Sequence, residues 1–178
     1  GKFAPLHLGH ELLIRRALGE CAEVIAITYS IPESPGCEPA QRRRWFQARF
    51  PTVRLVIPTE DDLDFWARRA GVSRPFPAIP ANDANDTTHR RFCGYLCAEI
   101  LGGPIDAVFS SEDYGAGFAA EIEQYFRGRG WAARVQHVLV DRERREVPIA
   151  GRTLRADLHA HRTWLSPEVY ATFVERVA

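Results

Sequence analysis

The chain has 178 residues, 46% of them hydrophobic, with 23 basic and 23 acidic side chains and a formal net charge of zero. Residues 1–178 make one ordinary domain with apolar material for a real core, and the balanced charge argues against a sheath of nonspecific nucleic-acid contacts while permitting one concentrated basic site. No stretch approaches the roughly 20 apolar residues of a membrane helix, the N-terminus lacks the apolar core of a signal peptide, and Cys21, Cys37, Cys93 and Cys97 show no close-spaced paired framework, so the expectation is a cytoplasmic protein with reduced thiols.

In chain order, Leu13, Ala17 and Cys21, widened by Ile14 and Leu18, predict a helix directly behind His10. Val24–Ser30 reads as a buried strand, "IPESPGCEP" as a loop, "AQRRRWFQARF" as a basic helix and "VRLVIP" as a short strand stopped by Pro58. "EDDLDFWARRAG" has acids in its first turn, bases in its last and a glycine after it, the polarity of a helix. "SRPFPAIPANDAND" is a long loop, after which Asp86 or Thr87 caps a helix running to Leu101 and ending at Gly102 and Gly103. Asp106–Ser111 is a strand running into the helix "EDYGAGFAAEIEQYF"; "ARVQHVLV" is the next strand, and "SPEVYATFVERV" a closing helix capped by Ser166. Alternating strands and helices imply βαβ units and a parallel sheet, whose ligands sit beyond the C-terminal strand ends.

The opening string "GKFAPLHLGH" crowds Lys2, His7 and His10 around Gly9. A helix starting at about Gly9 turns unpaired N–H groups and a positive dipole end toward that position, and a glycine there admits a phosphate close to the backbone. A structural histidine pair is the competing reading. Metal binding by His7 and His10 is the weaker one, since no third ligand lies nearby in sequence.

Gly1, Phe3, Pro5, His7, Gly9 and His10 stand where the signature of the nucleotidyltransferase superfamily has its Gly, Phe, Pro and His-x-Gly-His, and the string resembles that signature. "VLVDRERREVPIAGRTLR" resembles the second superfamily signature through Asp141, Arg144, Ile149, Gly151 and Arg155. It departs at Ala150 and Arg152, where the family carries Ser or Thr; Thr153 is the nearest hydroxyl and Arg152 offers charge instead. "FSSEDYG" resembles the strand-end segment of nicotinamide mononucleotide adenylyltransferases of the type fused to a kinase in the bacterial bifunctional NAD-biosynthesis regulator.

The resemblance implies a Rossmann-like, doubly wound parallel α/β sheet whose central strand precedes the first motif. Only Gly1–Phe3 stand there, so an N-terminal strand truncated here, with several further residues upstream, is the expectation. It implies adenylyl transfer from ATP to a mononucleotide phosphate with release of pyrophosphate. His10 would bond the α-phosphate, His7 would assist, and Lys2 and Arg155 would hold the β and γ groups, with Gly1, Phe3, Gly9, Arg144, Ile149 and Thr153 around the nucleotide. Ser110, Ser111, Glu112 and Tyr114, with Gly115, would take adenine and ribose; ordinary capping by Ser111 or Asp113 is the alternative. Mg²⁺ would arrive with ATP, bridging phosphate oxygens without a protein cage.

An acceptor ring needs an aromatic face, for which Tyr29, Trp45 and Trp66 compete, each also a core candidate. Asn82, Asp83, Asn85 and Asp86 are carboxamide readers or turn formers. His89, Cys93 and Cys97 share a helix face, read as a buried stripe rather than a zinc site; His159 and His161 read as a surface loop; Arg42, Arg43 and Arg44 read as a solvated face or a phosphate grip. Phosphopantetheine as acceptor, cytidylyl transfer, and a catalytically weak NAD-sensing module remain open beside the leading reading, as does the oligomeric state.

Overall fold

The structure is a computed structural model describing residues 1–29, 35–71, 78–81 and 83–174. In chain order its elements are α1 (Leu8–Glu20), β1 (Ile25–Ile27), α2 (Pro39–Arg49), β2 (Arg54–Val56), α3 (Glu60–Ala70), α4 (Asp86–Tyr95) continued by a π-helical stretch Leu96–Leu101, β3 (Ala107–Ser110), α5 (Tyr114–Gly128), β4 (Gln136–Leu139), α6 (Gly151–Ala156), a 3₁₀ turn at Arg162–Trp164, and α7 (Pro167–Val174). They divide into two compact units: Gly1–Ile57 with Glu143–Ala178, and Pro58–Arg142.

Each unit holds one parallel strand pair joined across a helix. In the first, Ile25 lies opposite Arg54 and Ile27 opposite Val56, with α2 between the strands in sequence. In the second, Ala107 lies opposite Gln136 and Ser110 opposite Leu139, with α5 between. The α/β class and parallel pairing agree with the expectation. One doubly wound sheet does not emerge: among the described residues the strands form two two-stranded sheets. Strand β1 is shorter than Val24–Ser30, although Arg54 N–H to the Val24 carbonyl (2.9 Å) and Thr28 N–H to the Val56 carbonyl (3.0 Å) extend the pairing by one bond at each end; Ser30 lies outside the described residues.

Residues 1–3 form no strand. The Gly1 nitrogen donates to the Ile27 carbonyl at 2.9 Å and Thr28 Oγ1 donates to the Lys2 carbonyl at 2.9 Å, which lays the segment along β1. No ladder continues because Phe3 turns out of the extended region at φ 48° and Pro5 has no N–H to give.

The helices follow local chemistry, with corrections. Thr59 closes a capping box on α3, accepting from Asp62 N–H while Asp62 Oδ2 accepts from Thr59 N–H at 2.9 Å, and Gly71 ends it at φ 66°. On α4 the cap is Asn85 rather than Asp86 or Thr87: its Oδ1 accepts from Thr88 N–H at 2.9 Å, the reach of a side chain one residue earlier. Neither Ser111 nor Asp113 performs the expected capping of α5. Asp113 precedes the helix in αR conformation, makes no cap bond, and pairs with Arg142 at 2.6 Å. The buried face of α1 is Glu11, Ile14 and Ala17, while Leu18 is 36% exposed, so the stripe is rotated from the apolar reading. The cause is Glu11, whose carboxylate accepts from Arg49 Nε (3.1 Å) and Nη2 (2.8 Å) and from Arg15 (3.2 Å), letting an acid occupy the inner face.

Phe3, Leu6, Ile14, Trp45, Phe46, Phe50, Leu154, Val169 and Phe173 form the core of the first unit. The three arginines of α2 part company: Arg43 and Arg44 are exposed, whereas Arg42 is buried and donates to the Lys2 carbonyl (3.3 Å) and to Thr28 Oγ1. Arg42 therefore staples α2 to the opening segment, and a solvated or phosphate-gripping face does not describe it. In the second unit α4 packs on α5 so closely that a Cβ at Gly94 would lie 2.9 Å from the Tyr125 ring. Among the described residues no helix is long and apolar enough to cross a membrane.

Candidate active site

His7 is the N-cap of α1. Its Nδ1 accepts from Gly9 N–H at 3.1 Å. A neutral imidazole that accepts at Nδ1 carries its proton at Nε2, so His7 is a donor at its far edge. His10, one turn on, stacks on His7 with ring centroids 3.7 Å apart and 27° between planes, and the Phe3 ring meets His10 edge-on at 4.9 Å. Gly9 suits this packing. A Cβ there would stand 3.0 Å from His7 Cε1, and its N–H is already engaged by His7, so its role is first to admit the imidazole.

The second signature reaches the same place from the far end of the chain. Arg155 on α6 donates from Nη1 to the Ala4 carbonyl at 2.8 Å, and a Cβ added at Gly151 would lie 3.1 Å from that Nη1 and 3.7 Å from His7 Nε2. Arg144, held at φ 51°, donates to the Ile149 carbonyl at 2.6 Å, and Ile149 itself is buried. Ala150 precedes α6 with no side-chain cap, and Arg152 and Thr153 are exposed. Lys2 and Gly1 are exposed at the surface of the opening segment. The structure thus brings His7, His10, Gly9, Phe3 and Arg155 together, with Arg144 close enough to act on both imidazoles.

Burial, then the charges of Arg144 and Arg155, hold the His7 pKa down at about 4. Burial first, then His7, lowers His10 well below the ordinary imidazole value; the Pro5 carbonyl opposes this by favouring its charged form. Nδ1 of His10 is shut off from solvent and makes no hydrogen bond of ordinary geometry. At neutral pH the pair is neutral, and the fixed positive charge beside it comes from the two guanidiniums. An anion reaching these rings would reverse the balance, raising both pKa values toward the charged donor form.

In the second unit, the turn after β3 is anchored by Ser110, 6% exposed, whose Oγ lies 2.7 Å from the Glu112 carbonyl and 2.8 Å from His137 Nε2. Glu112 is exposed and Tyr114 is 48% exposed. His137 was not singled out by the sequence; the signal available for it was Gly115, a glycine in the first turn of a helix.

Of the aromatic candidates, Trp45 is 1% exposed and packs on Phe173 at 5.8 Å, so it offers no face to a ligand; Tyr29 and Trp66 are half-buried. Asn85 spends its carbonyl on the α4 cap, and Asn82 lies outside the described residues. All four cysteines are thiols, and burial pushes Cys97 up to about 12. Among the described residues no group of three or more His, Cys, Asp or Glu side chains gathers as for a metal. His159 is tied to the Tyr170 hydroxyl, 2.8 Å from its Nδ1.

No family model and no solved structure matches the chain. It is similar to the nicotinamide-nucleotide adenylyltransferase of Aeropyrum pernix, 33% identical over 113 residues, 64% of this chain and 56% of that protein. The match thus spans little more than half the relative's length. This likeness supports a nucleotidyltransferase family, and nothing finer, for the chain.

Proposed function

We propose that the chain transfers the adenylyl group of ATP to nicotinamide mononucleotide, forming NAD and releasing pyrophosphate. The observation that carries the reading is the stacked pair of buried His7 and half-buried His10 at the start of α1 with Arg155 beside it. The choice of this acceptor is supported by the "FSSEDYG" segment and by the name of the similar protein.

The acceptor's phosphate, with a second pKa near about 6, is already largely ionised at neutral pH, so no general base is required. Its oxygen attacks the α-phosphorus, a P–O bond to the β-phosphate breaks, and pyrophosphate leaves. The protein aligns the two nucleotides and compensates charge on the α-phosphate and leaving group. His10 and His7 donate at the α-phosphate, Arg155 and Lys2 hold the β and γ groups, and Arg144 adds positive potential. Gly1, Phe3, Gly9, Ile149 and Thr153 shape the surroundings of the phosphates, and the Ser110–Glu112 turn with Tyr114 takes the adenosine. The donors of the first unit are imidazole, guanidinium and ammonium nitrogens, which suit phosphate oxygens and not a hard cation; Mg²⁺ belongs to the ATP as substrate. Tyr29 and Trp66 are the remaining candidates to stack on the pyridine ring.

The test is pyrophosphate release with ATP or CTP against a set of phosphate acceptors, with NAD measured directly. ATP and nicotinamide mononucleotide should give NAD, and the acid analogue should react more slowly, because polar groups paired to a carboxamide lose partners when it changes. Ala at Tyr29 or at Trp66 should raise the KM for the mononucleotide and barely change that for ATP. Product with phosphopantetheine alone would refute the acceptor. Tight NAD binding without pyrophosphate release would favour a sensing module, for which the missing hydroxyls at Ala150 and Arg152 are the motive.

A further inference from the structure

We infer that His137 is a positioning residue for the turn that follows β3. The inference rests on the proposed reading of Ser110, Ser111 and Glu112 as the adenosine turn, and it names what holds that turn in shape.

Ser110 Oγ has one proton. It is directed at the Glu112 carbonyl, 2.7 Å away, so the 2.8 Å contact with His137 must be completed by the imidazole: Nε2–H donates to Oγ, and Oγ–H donates to the carbonyl. The relay runs from β4 through β3 into the turn. Parallel pairing sets Val108 opposite His137 and Ser110 opposite Leu139, so the imidazole comes from two register positions back and reaches forward to Ser110. Gly115, in the first turn of α5, leaves the space: a Cβ there would fall 2.1 Å from His137 Nε2 and 2.3 Å from Ser110 Oγ. Ser110 is 6% exposed, so losing the imidazole leaves its hydroxyl short of a partner that water cannot readily replace. Without the imidazole the hydroxyl is no longer oriented toward the Glu112 carbonyl, so the bond that fixes Glu112 is weakened, and with it the backbone path through Ser111.

The imidazole also lines an open groove of about 600 Å³ running along α5. That space makes a glutamine tolerable at the position, and the glutamine Nε2 amide, reaching as far as Nε2 of histidine, restores the donor. The probe is ATP itself, measured by calorimetric affinity on wild type, His137→Ala, His137→Gln, Ser110→Ala and the double His137→Ala/Ser110→Ala. ATP affinity should fall about tenfold in His137→Ala, recover to within about threefold in His137→Gln, and fall no further in the double variant than in the worse single one, because both groups act through one relay. Unchanged affinity in His137→Ala, a glutamine no better than alanine, or additive losses would overturn the inference. Should His137→Ala fail to fold, Ser110→Ala and the tautomer of wild-type His137, read from long-range nitrogen–proton correlations, decide instead; a proton on Nδ1 alone overturns it. Wild type that binds no ATP removes the adenosine reading and this inference with it, whereas wild type that binds ATP with the expected variant pattern but releases no pyrophosphate removes only the proposed transfer.

Discussion

Each unit starts a helix with a glycine at its second position and a histidine ring against it. In the first unit the helix is α1, the glycine Gly9 and the ring His7; in the second the helix is α5, the glycine Gly115 and the ring His137. The partner's distance along the chain separates them. His7 is the cap residue itself, two positions from Gly9, and its bond to Gly9 N–H is local chemistry. His137 arrives from the next strand, and its partner is a serine hydroxyl rather than the helix backbone. Burial, then the charges of Arg144 and Arg155, keep His7 neutral well below its ordinary range. The same pair of residue types thus serves as a donor site in one unit and, by our inference, as a brace in the other.

The largest expected effect separates the two roles by rate. His10→Ala should lower turnover by about 10² to 10³, the usual loss for one preorganised donor at a transition-state anion, with the fold intact by circular dichroism. Near-normal pyrophosphate release would break the assignment of the first unit as the reactive one.

Stability against pH comes next. The folded-state pKa of His7, about 4, lies below its unfolded value of 6.5, so the unfolded chain binds more protons across that window and stability falls as pH drops from 6.5 toward 4. At about 1.4 kcal/mol per pKa shift of one, His7 contributes about 3 kcal/mol that is fully present above 6.5. His7→Asn keeps a cap acceptor without a titrating ring, so its denaturant midpoint should lose the His7 share of the slope while that of His10 remains. A slope equal to wild type would show that His7 is not the buried neutral group.

Gly→Ala at the two matching glycines sharpens the comparison directly. At Gly115 the new methyl would meet ring nitrogen and hydroxyl at 2.1 and 2.3 Å, which demands displacement of both and an expected loss of about 1–3 kcal/mol in chemical denaturation. At Gly9 the nearest atom is His7 Cε1 at 3.0 Å. A shift of a few tenths of an ångström relieves it, and alanine's better helix propensity offsets about 1 kcal/mol, so stability should change little while turnover falls through the displaced ring. Equal stability losses at the two sites would contradict the packing described. Smallest of all, Arg142→Ala removes an exposed pair with Asp113 and should change stability by under about 1 kcal/mol; a larger loss would make that ion pair a second brace of the turn.

Much of the chain's local structure was legible because it depends on near neighbours. The acids in the first turn of α3, the arginines in its last and Gly71 after it mark helix ends by chemistry that acts within one turn. The grouping of His7 and His10 was legible for the same reason: three positions apart on a helix start, two rings meet whatever surrounds them. Arg155 was assigned to that place through resemblance alone, and only the folded chain sets it against Ala4 and Gly151.

What a pattern of apolar and charged letters cannot express is which charges find partners inside. Glu11 reads as a surface acid and is buried, because Arg49 of another helix meets it with two nitrogens. Arg42 is indistinguishable by type from Arg43 and Arg44, yet it alone turns inward to the Lys2 carbonyl and Thr28. Trp45 reads as core ahead of stacker, and Phe173, more than a hundred residues on by the numbering, covers it. The letters alone carried the two ends of α3, the parallel α/β alternation and the paired histidines, since these follow from bonds and periodicities spanning a few residues. Tertiary structure decided the pairing of Glu11, the burial of Arg42 and Trp45 and the His137–Ser110 relay, because burial and hydrogen-bond satisfaction depend on which distant surfaces meet, and that is a property of the packed chain.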